Sequence, residues 1–202
     1  MNIYVETNFV LELVFQQEQF ASCEQILLLC EAGYAILIIA AYSIAEPNEK
    51  LTRQARSRRE LQRMLNTELQ QLARTAPYTS RINSIQDIAT LLVKSNDEER
   101  QIFLNYRVRL LNSTSIIPLT ADIFQEAATY EVPYDLQPQD SIVYTSVITH
   151  LRQNQPQIAC FLNRNSKDFD SPNIVDELID FNCRMIARFD QGLAFIQAQI
   201  AL

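Results

Sequence analysis

Short unbroken apolar runs alternate along the chain with longer stretches in which apolar residues recur every three or four positions. That is the pattern of buried strands set between amphipathic helices. Asn2–Val5 is the first β-rich run and opens the domain almost at the initiator Met; Ala35–Ile39 is the second. Between them, Leu11–Ala32 has helical periodicity with a break at Gln16–Gln19, and Gly33 supplies its stop. Helix resumes at about Tyr42. From Pro47 to Ala73 strong helix formers carry Leu51, Ala55, Leu61, Leu65, Leu69 and Leu72 at helical spacing. Ala76–Ser80 interrupts this run, and further helices are predicted over Ser84–Val93 and Asp97–Leu110. Ile116–Leu119 reads as a third strand. Thr120 then caps a helix running to Tyr130 with Asp122 in its first turn, and Pro138 opens another to about Arg152. Ile158–Leu162 and Arg184–Ala187 are the remaining strands, and Asp190–Ile200 is a closing helix.

Strands alternating with helices imply a parallel sheet covered on both faces, an α/β fold in three layers (α/β/α). Its functional crevice is expected at the carboxyl ends of the strands, where the loops converge. The block from about 50 to 111 is helical without an intervening strand. It is expected as a helical insertion packed on the side or top of the sheet, within a single domain covering 1–202. A strand inside Pro47–Leu110 would contradict this layout.

Composition narrows the class. The chain has 202 residues, 48% of them hydrophobic, which is enough for a substantial core and excludes a disordered or fibrous protein. Only two Gly and seven Pro speak for long helices and few tight hairpins. Cys23, Cys30, Cys160 and Cys183 form no close pair of the zinc kind, and no signal peptide precedes the first strand. They read as reduced thiols filling the core of a cytoplasmic protein. Ile26–Ala45 is the one stretch that could pass for a membrane span. Glu31 and Gly33 interrupt it, and the rest falls far short of the ~20 residues a span needs.

A net charge of -7 argues against nucleic acid, since phosphate binding is largely electrostatic. The distribution of charge changes that picture. Lys50, Arg53, Arg56, Arg59 and Arg63 recur at three- and four-residue spacing, with Arg58 to the side and Glu60 the only acid among them. Such a ridge is a phosphate track, a docking face for an acidic partner, or a solvated helix face.

Carboxylates stand where this architecture would use them. Glu6 follows the first strand, Glu46 lies in the helix after the second, and Asp140 lies in the first turn of the Pro138 helix. After the fourth strand, Asn165 and Asp168 put an amide and a carboxylate three residues apart. Oxygen ligands of this kind suit Mg²⁺ or Mn²⁺, and binding a cation relieves the repulsion between gathered carboxylates. A metal held there can deprotonate a water and stabilise charge on a phosphodiester during in-line attack.

The run Asn2-Ile3-Tyr4-Val5-Glu6-Thr7-Asn8 resembles the opening strand of PIN domains, which ends in Asp-x-Asn or a close variant. Glu46 resembles the family's helix glutamate, Leu136–Leu151 its third acidic motif, and Leu162–Phe169 its final one. The resemblance implies a single-strand endoribonuclease that uses magnesium or manganese, as in VapC toxins and RNA-processing factors. It makes Glu6, Glu46 and Asp140 metal ligands, with Asn165 in the fourth acidic position and Asp168 supporting it. Apart from the resemblance, the phosphate-track reading of the ridge makes Arg53, Arg56, Arg59 and Arg63 the RNA contacts; by the resemblance, Asn8 would orient Glu6 or the water on the metal. The partners it implies are RNA, an inhibitory antitoxin or other regulatory protein, and a second copy in a homodimer. Glu6 stands where the family has Asp, Asn163 replaces a hydroxyl residue, and the middle insertion is absent from simple VapC-like toxins. These departures define the alternative: a degenerate PIN-fold module that binds RNA or a protein without cutting.

Glu6-Thr7-Asn8-Phe9-Val10 also matches, superficially, the Asp-x-Asp-x-Val motif of haloacid-dehalogenase-like phosphatases. Both acids of that motif are replaced here and no Gly-rich phosphate loop follows, so that chemistry is set aside. His150, the only His, is assigned no catalytic role. Tyr4, Tyr42, Tyr130, Tyr134 and Tyr144 read as core or rim residues.

Overall fold

The computed structural model describes residues 1–78, 82–164, 169 and 171–200. Its strands are β1 (Asn2–Val5), β2 (Ile36–Ala40), β3 (Ser115–Ile117), β4 (Ala159–Leu162) and β5 (Cys183–Ile186). They form one five-stranded sheet in the order β3-β2-β1-β4-β5, parallel throughout, with Val5 opposite both Ile39 and Leu162. The order reverses at β1, so the chain winds outward to both sides and leaves a crevice beyond the carboxyl ends of β1 and its neighbours. The three-layer α/β/α architecture expected from the sequence is the one observed.

The helices are α1 (Thr7–Phe15), α2 (Phe20–Glu31), α3 (Ala41–Ala73), α4 (Ile82–Ser113), α5 (Ala121–Glu131), α6 (Pro138–Asn154), α7 (Pro172–Asp180) and α8 (Phe189–Ile200). Because side chains alternate along a strand, each strand feeds two layers. Tyr4, Ile38, Ile117, Phe161 and Cys183 join a core with residues of α5, α6 and α7. Ile3, Val5, Leu37, Ile39, Cys160 and Leu162 are equally buried on the other side, where α2 and α8 pack together. All four cysteines are free and buried, as expected of core fillers. Gly33 ends α2 with φ at +81°, a left-handed conformation that a side chain would strain.

The chain divides into two compact units, Met1–Pro47 with Tyr106–Leu202, and Asn48–Asn105. Among the described residues the second contains helix and turn and no strand. It corrects one expectation: Ser84–Val93 and Asp97–Leu110 are not two helices but parts of the unbroken α4. Ser95 and Asn96, polar residues that would favour a helix end, have their side-chain oxygens bonded within it, while Asn96 Nδ2 is buried without a partner. Ser95 Oγ donates to Leu92 O at 3.2 Å, and the Arg58 guanidinium donates to Ser95 Oγ and Asn96 Oδ1, each at 3.0 Å. Arg58 also makes a two-pronged pair with Glu99 at 2.8 and 3.0 Å. Helix α7 was not foreseen, although Pro172 at its first turn and the buried pair Ile174 and Leu178 mark it.

No described helix is long and apolar enough to cross a membrane.

Candidate active site

Glu6 leaves β1 and becomes the N-cap of α1 in a single step. Its backbone is still extended (φ -120°, ψ -174°), and its Oε2 accepts the Asn8 backbone N–H at 2.7 Å. Asn8, the residue expected to orient Glu6, bonds its carboxyl through the backbone N–H. The other oxygen, Oε1, is buried and has no hydrogen-bond partner, and the residue as a whole is only 6% exposed. Orphaned buried carboxylate oxygens are costly and call for an explanation.

Burial pushes the Glu6 carboxyl up to about 8, against the opposing pull of hydrogen bonding from Asn8 and with further upward pressure from the charges of Asp140 and Glu46. Those contributions place the three carboxyls in one neighbourhood. Glu46, in the second turn of α3, is half-buried, and Thr7 Oγ1 donates to its Oε2. Asp140 sits in the first turn of α6, also half-buried. Ser43 and Thr145, on the helices that carry Glu46 and Asp140, each bury a hydroxyl without a partner.

Metal-bridging convergence of the three carboxylates, the strictest form of the expectation, is not met. Among the described residues no three acidic, His or Cys side chains are gathered closely enough to hold an ion. One Glu6 oxygen bonds the cap of its own helix, and Thr7 bonds Glu46. The donor chemistry nevertheless fits a hard divalent cation, because a buried, unbonded carboxylate oxygen with further carboxylates acting on it is the kind of ligand such ions take.

Asn165 and Asp168 lie outside the described residues. Asn163, at the end of β4, is buried, and its N–H extends the ladder to Ile186 O at 3.1 Å. Next to it, Arg164 donates to Glu12, which is 2% exposed in α1, and to Glu18 at 3.0 Å. This clasp ties the exit of β4 to the helix that Glu6 starts. The sequence reading missed it, although an arginine two residues after a buried apolar strand is the signal.

His150 has its Nδ1 2.9 Å from the Tyr4 hydroxyl, and burial lowers its basicity, which fits a packing role. Tyr144, Tyr134 and Tyr130 converge on Glu177 at 2.7, 3.1 and 3.4 Å, with Arg152 at 3.0 Å. They fasten α7 to α5 and α6.

The raised Glu6 value carries a pH prediction. A carboxyl that holds its proton more tightly when folded makes the folded state bind more protons than the unfolded one, so stability falls as pH rises. Metal-free protein should lose stability between about 4.5 and about 8, and Glu6→Gln should flatten that slope. Melting temperatures across this range, in chelator, test it. An equal slope in both proteins would remove Glu6 as its source.

Among family comparisons, one described as PIN domain matches residues 3–169, a span that takes in Glu6, Glu46 and Asp140. No curated protein matches the chain.

Proposed function

The chain belongs to the PIN domain family, a nuclease-like fold, and from that premise we propose that it is a metal-dependent endoribonuclease acting on single-stranded RNA. One observation supports this most: a buried Glu6 oxygen without a partner, with the charges of Asp140 and Glu46 acting on the same carboxyl. In this reading Glu6, Glu46 and Asp140, not gathered closely enough in the metal-free chain, would draw together on Mg²⁺ or Mn²⁺, and Asn165 and Asp168 would complete the site. When bound, the ion would supply Lewis acidity toward a phosphodiester and make water a better nucleophile near neutral pH.

The chain's own residues prepare the site in ways that do not depend on the ion. Asn8 fixes Oε2 of Glu6 and so leaves Oε1 as the open donor. Thr7 holds the Glu46 carboxylate in one orientation. Asp140 stands in the first turn of α6, where the positive end of the helix dipole complements a negative charge. The test is a thermal-shift titration with Mn²⁺ run beside cleavage of a labelled single-stranded RNA. A chain showing neither shift nor cleavage would be the binding module without catalysis.

We assign the RNA contact to the basic ridge of α3. Arg58, Arg109, Arg152, Arg164 and Arg188 are all paired with carboxylates. Arg53, Arg56, Arg59 and Arg63 are exposed and make no ion pair among the described residues. Unspent cations concentrated on one helix of an acidic protein suit a polyanion. Replacing Arg53, Arg56 and Arg59 together with Gln should weaken RNA binding about tenfold and flatten its salt dependence by about 0.7 per lost phosphate contact. Melting temperature should stay nearly constant, since exposed helix positions tolerate such changes within about 0.5 kcal/mol each. Unchanged affinity and salt slope would leave the ridge as a solvated face.

A further inference from the structure

Strand β5 ends the sheet, and among the described residues no strand lies beyond it. The inner carbonyls of this segment go to β4: Ala159 N–H donates to Asn182 O at 3.0 Å and Asn163 N–H to Ile186 O at 3.1 Å. By the alternation of a parallel ladder, the peptide groups of Cys183 and Met185 face outward. Beside this edge is an open groove of about 610 Å³, walled by Val175 and Ile179 of α7 on one side and Phe195 of α8 on the other. Ile158 and Ile179 are 41% and 59% exposed there. The groove begins at the amino ends of β4 and β5, the opposite end of the strands from Glu6.

We propose that this groove receives an extended segment of a partner protein, which adds to β5 as a further strand and alternates apolar with acidic side chains. The floor of the groove sets the extended conformation, because only a strand can satisfy the outward peptide groups in series. The walls set the alternation. Cys183 and Met185 turn toward the core that includes α7, whereas Arg184 turns the other way and lies over the Phe195 ring at 5.6 Å. An added strand would present every second residue to Val175 and Ile179, which take apolar groups. The residues between would meet Arg184, which has no ion pair among the described residues and selects a carboxylate. A charge on a sheet edge ordinarily repels unwanted strands. Here it admits an acidic strand and rejects an apolar or basic one. A second copy of the chain is disfavoured by the same group, since antiparallel self-pairing of β5 would bring two Arg184 side chains to one face.

The probe is a fluorescein-labelled synthetic peptide of alternating valine and glutamate, titrated with the full chain and followed by anisotropy. Saturable binding is expected, reduced about tenfold or more by Arg184→Glu and similarly by N-methylating alternate peptide groups. Exchange of the Met185 amide with solvent should slow in the complex. Asp140→Asn should bind the peptide as the parent does, which separates this surface from the nuclease reading. The proposal is overturned by absence of saturation in folded protein, by equal binding of a valine–lysine peptide, or by indifference to N-methylation. It is overturned too if sedimentation finds a dimer that Arg184→Glu strengthens and the peptide does not disrupt.

Discussion

Asp140→Asn should abolish the Mn²⁺-induced thermal shift and lower cleavage of single-stranded RNA by about two orders of magnitude or more. The change is isosteric and removes one charge from a half-buried position in the first turn of α6. The first turn tolerates the amide, so folding should hold and melting temperature without metal should change by little. Loss of function against an intact fold would locate the effect in the site. The pH profile adds an independent readout. Because burial raises the Glu6 carboxyl to about 8, a cation taking that oxygen must displace its proton. Apparent Mn²⁺ affinity in the parent should rise about tenfold per pH unit below that value and level off above it. A parent that binds Mn²⁺ with no pH dependence between 6 and 8 would remove Glu6 from the ligand set. An Asp140→Asn variant that keeps both the shift and full cleavage would remove Asp140.

Glu6 is also where the cost of the site is concentrated. A buried carboxyl with one unbonded oxygen destabilises the metal-free fold, and the cap that the other oxygen makes on α1 offsets only part of that. Stability held back at one residue is the usual mark of a functional position, not of packing. Glu in place of the family's Asp puts the carboxylate one methylene further from the backbone. In this structure one Glu6 oxygen caps α1 and the other is buried without a partner.

Much of this was legible in the sequence because strands buried on both faces must be continuously apolar. Ile36–Ala40 and Ala159–Leu162 could hardly be anything else in a chain of alternating elements. Thr120 announced the start of α5, and its hydroxyl indeed accepts the Ile123 N–H. The strand order, which puts Glu6 at the reversal point, was not read from the sequence; only its place at a strand's carboxyl end was. What was not legible depends on distant or competing local choices. The continuity of α4 is supported by Arg58, which bonds the side-chain oxygens of Ser95 and Asn96 from another helix, whereas local propensity alone argued for a break. The orientation of Glu46 depends on Thr7, thirty-nine positions earlier in the chain. How tightly the carboxylates gather is a matter of side-chain angles, which no spacing encodes.

The clasp between Arg164 and Glu12 is the least legible contact and carries the largest expected effect on stability. Its partners lie 152 positions apart in the chain. Glu12 is 2% exposed and has its other oxygen fixed by the Gln19 N–H at 2.5 Å. Arg164→Ala would strand that charge in the interior, where its protonation or its exposure becomes the only relief. The expected loss is about 3–5 kcal/mol, the range for breaking a buried pair by removing one partner. Glu12→Gln should cost less, because Arg164 is partly exposed and keeps Glu18 at 3.0 Å. The double variant Glu12→Gln with Arg164→Gln should then recover part of the Arg164→Ala deficit, since no buried charge remains. Urea unfolding of all three variants measures this. Equal losses for Arg164→Ala and Glu12→Gln, or a double variant worse than either, would mean that the arginine acts through packing and not through the charge it neutralises. The same clasp holds the exit of β4 against α1, so Arg164→Ala should also weaken Mn²⁺ binding in whatever fraction remains folded. Arg164→Lys should restore stability more fully than Mn²⁺ affinity, because a single ammonium can pair with Glu12 or Glu18 but cannot fork between them.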